Sequence, residues 1–557
     1  MVLEFLFEYS SASLVYDKIL LKALEGSELE GSLVKNDKQI KLYVESQDSD
    51  KLEEFANELS SVLPHSIFLR NTEVNVVDAL PQSDFALPQA DKPALSFCPS
   101  CLAKVLDENS DEYYNPFCEC EVCGYSANKK VLYCKNLFEQ IASSIANGDI
   151  AKVNTFYGEY YLGKLDARCN DISYDVLSYD LATIAKYTNV TQSETVALGA
   201  IEKPLISLKT NLKFKMDFGG VEEELLRFKL ADDFILHLTM LELHKLGVDC
   251  VFITKDEMKH ESELLLVEPK ESMEPIECVV GEKNIIILSG DKGLARFELT
   301  DEAVIPYIGA FNSVIKEHNF KEKTVVGLNM SKDYHNNILV YGKKFGLIEY
   351  LSFKSEYGSI AEIFQAIEDT NETGKKLLSN YKNEFSKLYE RASLVTFDDK
   401  ELNIYKIWGV ISIVLGYSNS NNIYISADKL ENNAKSFLGT KGPRIDYKLQ
   451  KIDSKVYLDP LMVIRTAMTF KLAGVDDLCL SYGVVESFVE FLSNQLDEIK
   501  QNMNNDVVVA SGSLLGNKHL FSKLDKEVSV NHELYFNKEL PVDGINIRYG
   551  TNELLYS

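Results

Sequence analysis

Basic residues are in short supply. The chain has 557 residues, with 58 Lys and Arg against 85 Asp and Glu, for a formal charge of −27. A surface of that sign repels phosphate backbones. It excludes general nucleic-acid binding and leaves room only for a local basic pocket. Long apolar runs are also missing. The longest, near Trp408 to Tyr417, is about half of the roughly 20 residues that a membrane-spanning helix needs. The opening MVLEFLFEYS mixes acids with apolar residues and has no basic n-region, so it does not read as a signal peptide. No secreted-type cysteine framework is present either: Cys169, Cys250, Cys278 and Cys479 are scattered. These absences point to the cytoplasm. What remains, 45% hydrophobic and 26% charged residues, is the composition of a globular protein. The length predicts about three or four domains.

The most informative stretch that is present runs from Cys98 to Cys123, FCPSCLAKVLDENSDEYYNPFCECEVCGYS. Cys98 and Cys101 form one C-x2-C pair, and Cys120 and Cys123 form another, eighteen residues further on. Two such knuckles place four thiolates within reach of one tetrahedral ion, the pattern of a closed structural zinc site. Gly124 suits the tight turn of a knuckle, and Pro99 is tolerable because that turn does not require its amide. Unrelated thiols or two disulfides are the other readings, and an intracellular chain disfavours the second. Cys118 has no assignment. Cys134 is either a substitute ligand or an ordinary thiol.

Taken in order, residues 1–80 read as strand, helix, two strands, helix and strand. This βαββαβ order is that of a ferredoxin-like domain. The helix at DKLEEFANELSSVLP carries Leu52, Phe55, Leu59 and Val62 as its buried stripe, with Asp50 as its cap. Residues 81–92 are proline-punctuated and polar, a linker. The knuckle module occupies 93–134. Residues 135–270 form an α/β domain in which AKVNTFYGEYYLGKLDA is strand, turn and strand. His237 and His244 share a helix face there, but their spacing of seven is not the i,i+4 of a metal pair. Residues 276–557 form a mixed α/β domain of two lobes. In it DYHNNILVYGKKFG reads as a helix, and YKIWGVISIVLGYS and NNIYISAD read as strands. At Val507 to Leu524 a strand, a Gly/Ser turn and a helix start bring Gly512, Ser513 and Gly516 together. Such a turn could present amides to a nucleotide.

GSLVKND, IKLYVES and LEEFANEL resemble acylphosphatase-like domains. The resemblance implies that Asn36 orients water. It puts Lys18 where the family has a phosphate-holding arginine, and SSASLVYD where it has a glycine-rich phosphate loop. Lys18 cannot supply the guanidinium fork, and the loop lacks glycine. Asn36 is also an ordinary turn residue.

As a series, the units resemble the HypF family of hydrogenase-maturation carbamoyltransferases: acylphosphatase-like, zinc-knuckle, YrdC-like and Kae1-like regions. YYNPFCECEVCG is similar to that family's knuckle, VVVASGSLLGNKHL to its SGGVFQN turn, and ELPVDGINIRYG to its VPxNDGGxxxG close. The resemblance implies hydrolysis of carbamoyl phosphate and activation of carbamate with ATP as carbamoyl adenylate. The carbamoyl group then passes to a cysteine of a HypE partner. It implies structural zinc on Cys98, Cys101, Cys120 and Cys123, and ATP as a candidate ligand of Gly512, Asn517, Asp543 and Gly544.

The departures are large. One zinc module is found where the family has two. The basic motif of the YrdC-like region is absent: NDISYDVLSYDLATIAKY lacks the positive charge that a triphosphate demands. Lys354, Glu356 and Tyr357 stand where paired metal-binding histidines are expected. Two functions follow. One is a HypF-like protein that keeps the scaffold, has reduced or lost transfer chemistry, and acts through a partner or nucleotide. The other is an active carbamoyltransferase.

Overall fold

The computed structural model describes residues 1–11, 13–36, 39–82, 95–120, 122–123, 134–267, 274–291, 294, 297–453 and 455–551. Most of the expected linker, the Asp37–Lys38 turn and Gly124 lie outside these residues. Two compact units are present: residues 1–278 with 289–296, and residues 279–288 with 297–557. Among the described residues no helix is long and apolar enough to cross a membrane.

The first unit begins with β1 (Val2–Tyr9), α1 (Val15–Gly26), β2 (Glu30–Asn36), β3 (Gln39–Glu45), α2 (Ser49–Val62) and β4 (Leu69–Val77). The sheet order is β2-β3-β1-β4 with antiparallel neighbours, the ferredoxin-like arrangement. Phe5 and Phe7 of β1 meet Phe55 of α2 and Tyr16 of α1 edge-on, which seats both helices on one face. Two details differ from the sequence reading. Asp48, not Asp50, caps α2, because its backbone is extended and its carboxylate accepts from the Asp50 amide. Leu52, Phe55 and Leu59 are buried, but Val62 in the last turn is 42% exposed and faces a cleft.

The cysteine stretch starts with α3 (Pro99–Leu106), for which Cys98 is the N-cap and Pro99 the first residue. Proline is favourable there, since the first helical amides have no partner to lose. This stretch does not stand apart. Phe97 stacks on Phe234 with centroids 4.2 Å apart. The Tyr157 hydroxyl donates to the Leu95 carbonyl at 2.9 Å. Lys245 donates to Tyr114 at 2.8 Å and pairs with Glu242 at 2.7 Å. Buried Cys98, Cys101, Phe117 and Cys123 share one apolar core with α4 (Lys135–Asn147) and helix Phe234–Lys245. The strands of that region run in the order Ser262–Leu264, Ala151–Thr155, Gly158–Lys164, Cys250–Thr254, Asp175–Ser178, Leu225–Leu230, Leu205–Lys209 and Glu277–Val280.

The second unit is built on a seven-stranded sheet in the order Lys448–Ile452, Lys455–Asp459, Gly346–Ser352, Asn337–Gly342, Val325–Asn329, Val507–Ser511 and Leu534–Tyr535. Three expectations are corrected here. Asn337–Gly342 is a strand, not a helix, and all six residues are buried between its neighbours. Ile404–Leu415 and Ile423–Ser436 are helices, not strands. Every residue of the first is buried, so it has no polar face to reveal a helical period. Its ends carry the missing signal. Asn403 caps the start by accepting from the Lys406 amide at 2.9 Å, and Gly416, at φ +79°, ends it in the left-handed conformation.

Candidate metal centre and neighbouring sites

The four cysteines converge. Cys98 and Cys101 sulfurs are 3.6 Å apart, Cys98 and Cys120 3.9 Å, and Cys101 and Cys123 3.8 Å. A regular tetrahedron of sulfurs around an ion with bonds of about 2.3 Å has edges of about 3.8 Å. Three residues of the set are buried and Cys120 is half-buried. The local chain explains this: α3 directs Cys98 and Cys101 to one side, and a Phe117-anchored turn brings back the second pair. Hydrogen bonds among the four sulfurs pull the Cys98 and Cys120 thiols down and leave those of Cys101 and Cys123 raised. Four sulfurs and no free position make a site that can hold a soft metal ion and leaves it no open coordination for chemistry. Cys118 is buried beside the set and in contact with Cys101. Cys134 is buried as the N-cap of α4. Among the described residues no other group of His, Cys, Asp and Glu converges in this way. His237 rests edge-on against Phe97, and His244 stacks on Tyr179 and bonds Asp249 at 2.7 Å.

Asn36 lies exposed at the end of β2, opposite Gln39, which also pairs with Glu8 of β1. It is therefore at the same sheet end as the Ser10–Ser13 turn. That turn is closed on itself. The Ser11 hydroxyl accepts from the Ser13 amide at 3.1 Å, and the Ser13 hydroxyl from the Val15 amide at 3.3 Å. Tyr9 and Tyr16 stack behind it at 4.4 Å. Glu202, buried nearby, accepts from Ser66 at 2.6 Å and from the Ile67 amide at 3.1 Å. Burial pushes its carboxyl upward, and burial, with the nearby Glu202 second, also raises Tyr9 and Tyr16. A buried acid near a closed serine turn gives little welcome to a phosphate anion.

Gly512 begins the Ser513–Gly516 turn at φ +109°, where a Cβ would stand 2.2 Å from the Met330 carbonyl oxygen. Its glycine is required by this close approach of two strands' ends. The amides of the turn are engaged internally. Gly512 donates to Val542, Leu514 to Met330, and Ser513 to the Asp543 carboxylate at 2.9 Å. Asp543 also accepts from Ser331 at 2.9 Å and from the Gly544 amide at 2.9 Å. Asn517 is buried and caps the following helix through the His519 and Leu520 amides. Gly544 is exposed at φ +84°. The structure thus brings Gly512, Asp543 and Gly544 together around Ser331, and places Asn517 in a capping role.

Two features escape sequence reasoning. Lys332, beside Ser331, pairs with Glu431 at 2.6 Å and lies 4.6 Å over the Tyr405 ring. Glu431 also pairs with Lys435 at 3.0 Å. Burial acts to raise its carboxyl, but Lys435 and Lys332 outweigh it and hold it at about 2. Ninety-nine residues separate Lys332 from Glu431, so no local pattern announces them. Lys354 pairs with Glu356 and Glu401 at 3.1 and 3.0 Å, and the His335 imidazole reaches the same Glu401 at 3.5 Å and Glu349 at 2.6 Å. The second feature is a cavity of about 260 Å³ on the sheet of the first unit. Arg227 and Lys255 are its cations, and Asp175, Asp256, Glu274 and Glu277 its acids. Both cations are spoken for: Arg227 by Asp175 at 2.7 Å, Lys255 by Glu274 at 2.6 Å. A polyphosphate would meet an excess of like charge there.

Comparison with known proteins gives a consistent picture. No family model matches the sequence. Protein HydE of Wolinella succinogenes is 26% identical to this chain, over 98% of it and 100% of that protein. The crystal structure of T. kodakarensis HypF aligns with a TM-score of 0.68 over 99% of this chain and 98% of its own, at 11% identity. Full-length HypF in a phosphate- and nucleotide-bound form aligns with a TM-score of 0.64 over 82% of this chain and 97% of its own, at 14% identity. The chain therefore has the mixed α/β, multidomain HypF fold.

Proposed function

We propose that the protein is a HypF-like factor in nickel–iron hydrogenase maturation whose carbamoyl-transfer chemistry is reduced or lost. It acts by binding a partner, for which a HypE-like protein is the candidate, or a nucleotide in the cleft around Ser331, Gly512 and Asp543. The HypF fold and the full-length likeness to HydE support the maturation role. One observation carries the loss of chemistry: where phosphate-handling sites are expected, cations are absent or already neutralised. Phosphoryl and acyl-phosphate chemistry depends on oriented positive charge, and charge consumed by ion pairs cannot be offered to a transition state.

Zinc is the ion proposed for the four cysteines, where it supplies a cross-link and no catalysis. Cys98 and Cys101 hold it from α3, and Cys120 and Cys123 from the returning turn. Buried Phe97, Phe117 and Tyr114 pack in the same core as these cysteines, while Cys120 stays half-buried at a cleft. In the cleft, Asp543 orients the Ser331 hydroxyl and the Ser513 amide, while Lys332 stays locked on Glu431.

The test is single-turnover chemistry with pure, zinc-assayed protein. ATP with and without carbamoyl phosphate is followed for AMP and pyrophosphate. No AMP from a folded, zinc-loaded sample supports a scaffold role. AMP formed only with carbamoyl phosphate would establish the active carbamoyltransferase instead.

A further inference from the structure

The cavity of about 260 Å³ in the first unit is built on one face of its sheet. Asp175 pairs with Ile253, and Ile253 with Leu162, two residues beyond Tyr160. Val176 pairs with Phe228, which sets Arg227 beside Asp175. Arg227 pairs with Ser207, two residues beyond Leu205, and Leu205 pairs with Glu277. Partners in register and residues two apart share a face. Tyr160, Ile253, Asp175, Arg227, Leu205 and Glu277 thus form a floor drawn from six neighbouring strands. Arg227 lies between two acids of that floor, 2.7 Å from Asp175 and 3.7 Å from Glu277. Lys255 is held by Glu274 at 2.6 Å. Asp256 is a further acid, so four carboxylates face two cations. Burial keeps the Asp175 carboxyl above its ordinary range in spite of Arg227 and Lys229, as in a site short of positive charge. Tyr160 is an independent sign of an absent partner. It lines the cavity and is 5% exposed, and among the described residues its hydroxyl has no hydrogen-bond partner. A buried phenol loses its hydrogen bonds to water without return unless another group replaces them. Lys255 lies 5.8 Å from the centre of the Tyr160 ring, so that ring already faces one cation.

We propose that this cavity binds a small aliphatic diamine. Two ammonium groups supply the two charges the site lacks, the methylenes cover Ile253 and Leu205, and the Tyr160 hydroxyl accepts from one ammonium. The volume, just under that of drug-sized sites, suits a ligand of a few heavy atoms. The proposal rests on the same ion pairs as the loss of phosphate chemistry and goes beyond it. Amine binding and AMP formation are separate readouts, so either reading can fail alone.

The experiment is calorimetric titration of the full-length, metal-loaded protein with 1,4-diaminobutane in about 0.15 M salt, which screens the diffuse charge of an acidic surface. Saturable one-to-one binding is expected. Butylamine, with one charge, binds about tenfold more weakly or worse, and succinate and 1,4-butanediol do not bind. Glu277→Gln and Tyr160→Phe each weaken the diamine about tenfold, as loss of a charge-assisted hydrogen bond does. Glu54→Gln, at an exposed position of α2, leaves the affinity unchanged. Circular dichroism and metal content verify the fold of each variant. Absence of saturable binding, equal binding of butylamine, displacement by equimolar magnesium, unchanged affinity in both cavity variants, or an equal loss in Glu54→Gln would overturn the proposal.

Discussion

Cys98 and Cys120 sit 3.9 Å apart although twenty-two residues separate them. Neither sulfur has another reason to be there, so each is expected to be indispensable to the metal. Cys98→Ser and Cys120→Ser should each lower bound zinc from one per chain to near zero and destabilise the first unit by several kcal/mol. Cys118→Ser should leave one zinc per chain, because the tetrahedron is complete without it. Metal analysis by mass spectrometry checks all three. The residue scale was legible here because ligand spacing is a local property. Asn517 shows the opposite case. Its position after a Gly/Ser turn suggests a ligand contact, whereas its carboxamide oxygen accepts from the His519 and Leu520 amides and caps a helix. Gly512 is strictly constrained by packing. Gly512→Ala would combine a left-handed backbone with a carbonyl at 2.2 Å, and should cost more than about 2 kcal/mol in denaturant unfolding.

At the scale of elements, helix Phe234–Lys245 is the pivot of the first unit. It touches the cysteine stretch through Phe234 and His237, which meet Phe97, and through Glu242, which accepts from the Tyr114 hydroxyl. Chelating the metal should therefore raise hydrogen exchange in this helix and in α4, not in the cysteine stretch alone. Protection unchanged in both helices would contradict a shared core. His237 adds a pH dependence. Burial and the neighbouring Lys203 push it down to about 4 from an ordinary value of 6.5. The unfolded chain thus binds the proton first as pH falls. Stability is full above pH 6.5 and declines toward pH 4, by up to about 3 kcal/mol. His237→Phe should flatten that part of the stability profile. Element type was readable wherever one face stays polar, as in α2. It failed where both faces are buried: Ile404–Leu415 and Asn337–Gly342 carry apolar residues on every side, and period alone does not separate them. The caps Asn403 and Gly416 were the signal that could have decided the first.

For the whole molecule, the mixed α/β multidomain class was visible in the sequence because strand and helix patterns alternate along it. The ion pairs that neutralise Arg227, Lys255 and Lys332 were not, since their partners lie far away in the chain or across a sheet. Those pairs, more than the formal charge of −27, account for the expected silence toward phosphates. The most direct measurement is the formation of AMP and pyrophosphate from ATP by the zinc-loaded protein, with and without carbamoyl phosphate. The account predicts none above a protein-free control in either case. Carbamoyl-phosphate-dependent AMP and pyrophosphate in equal amounts would contradict it.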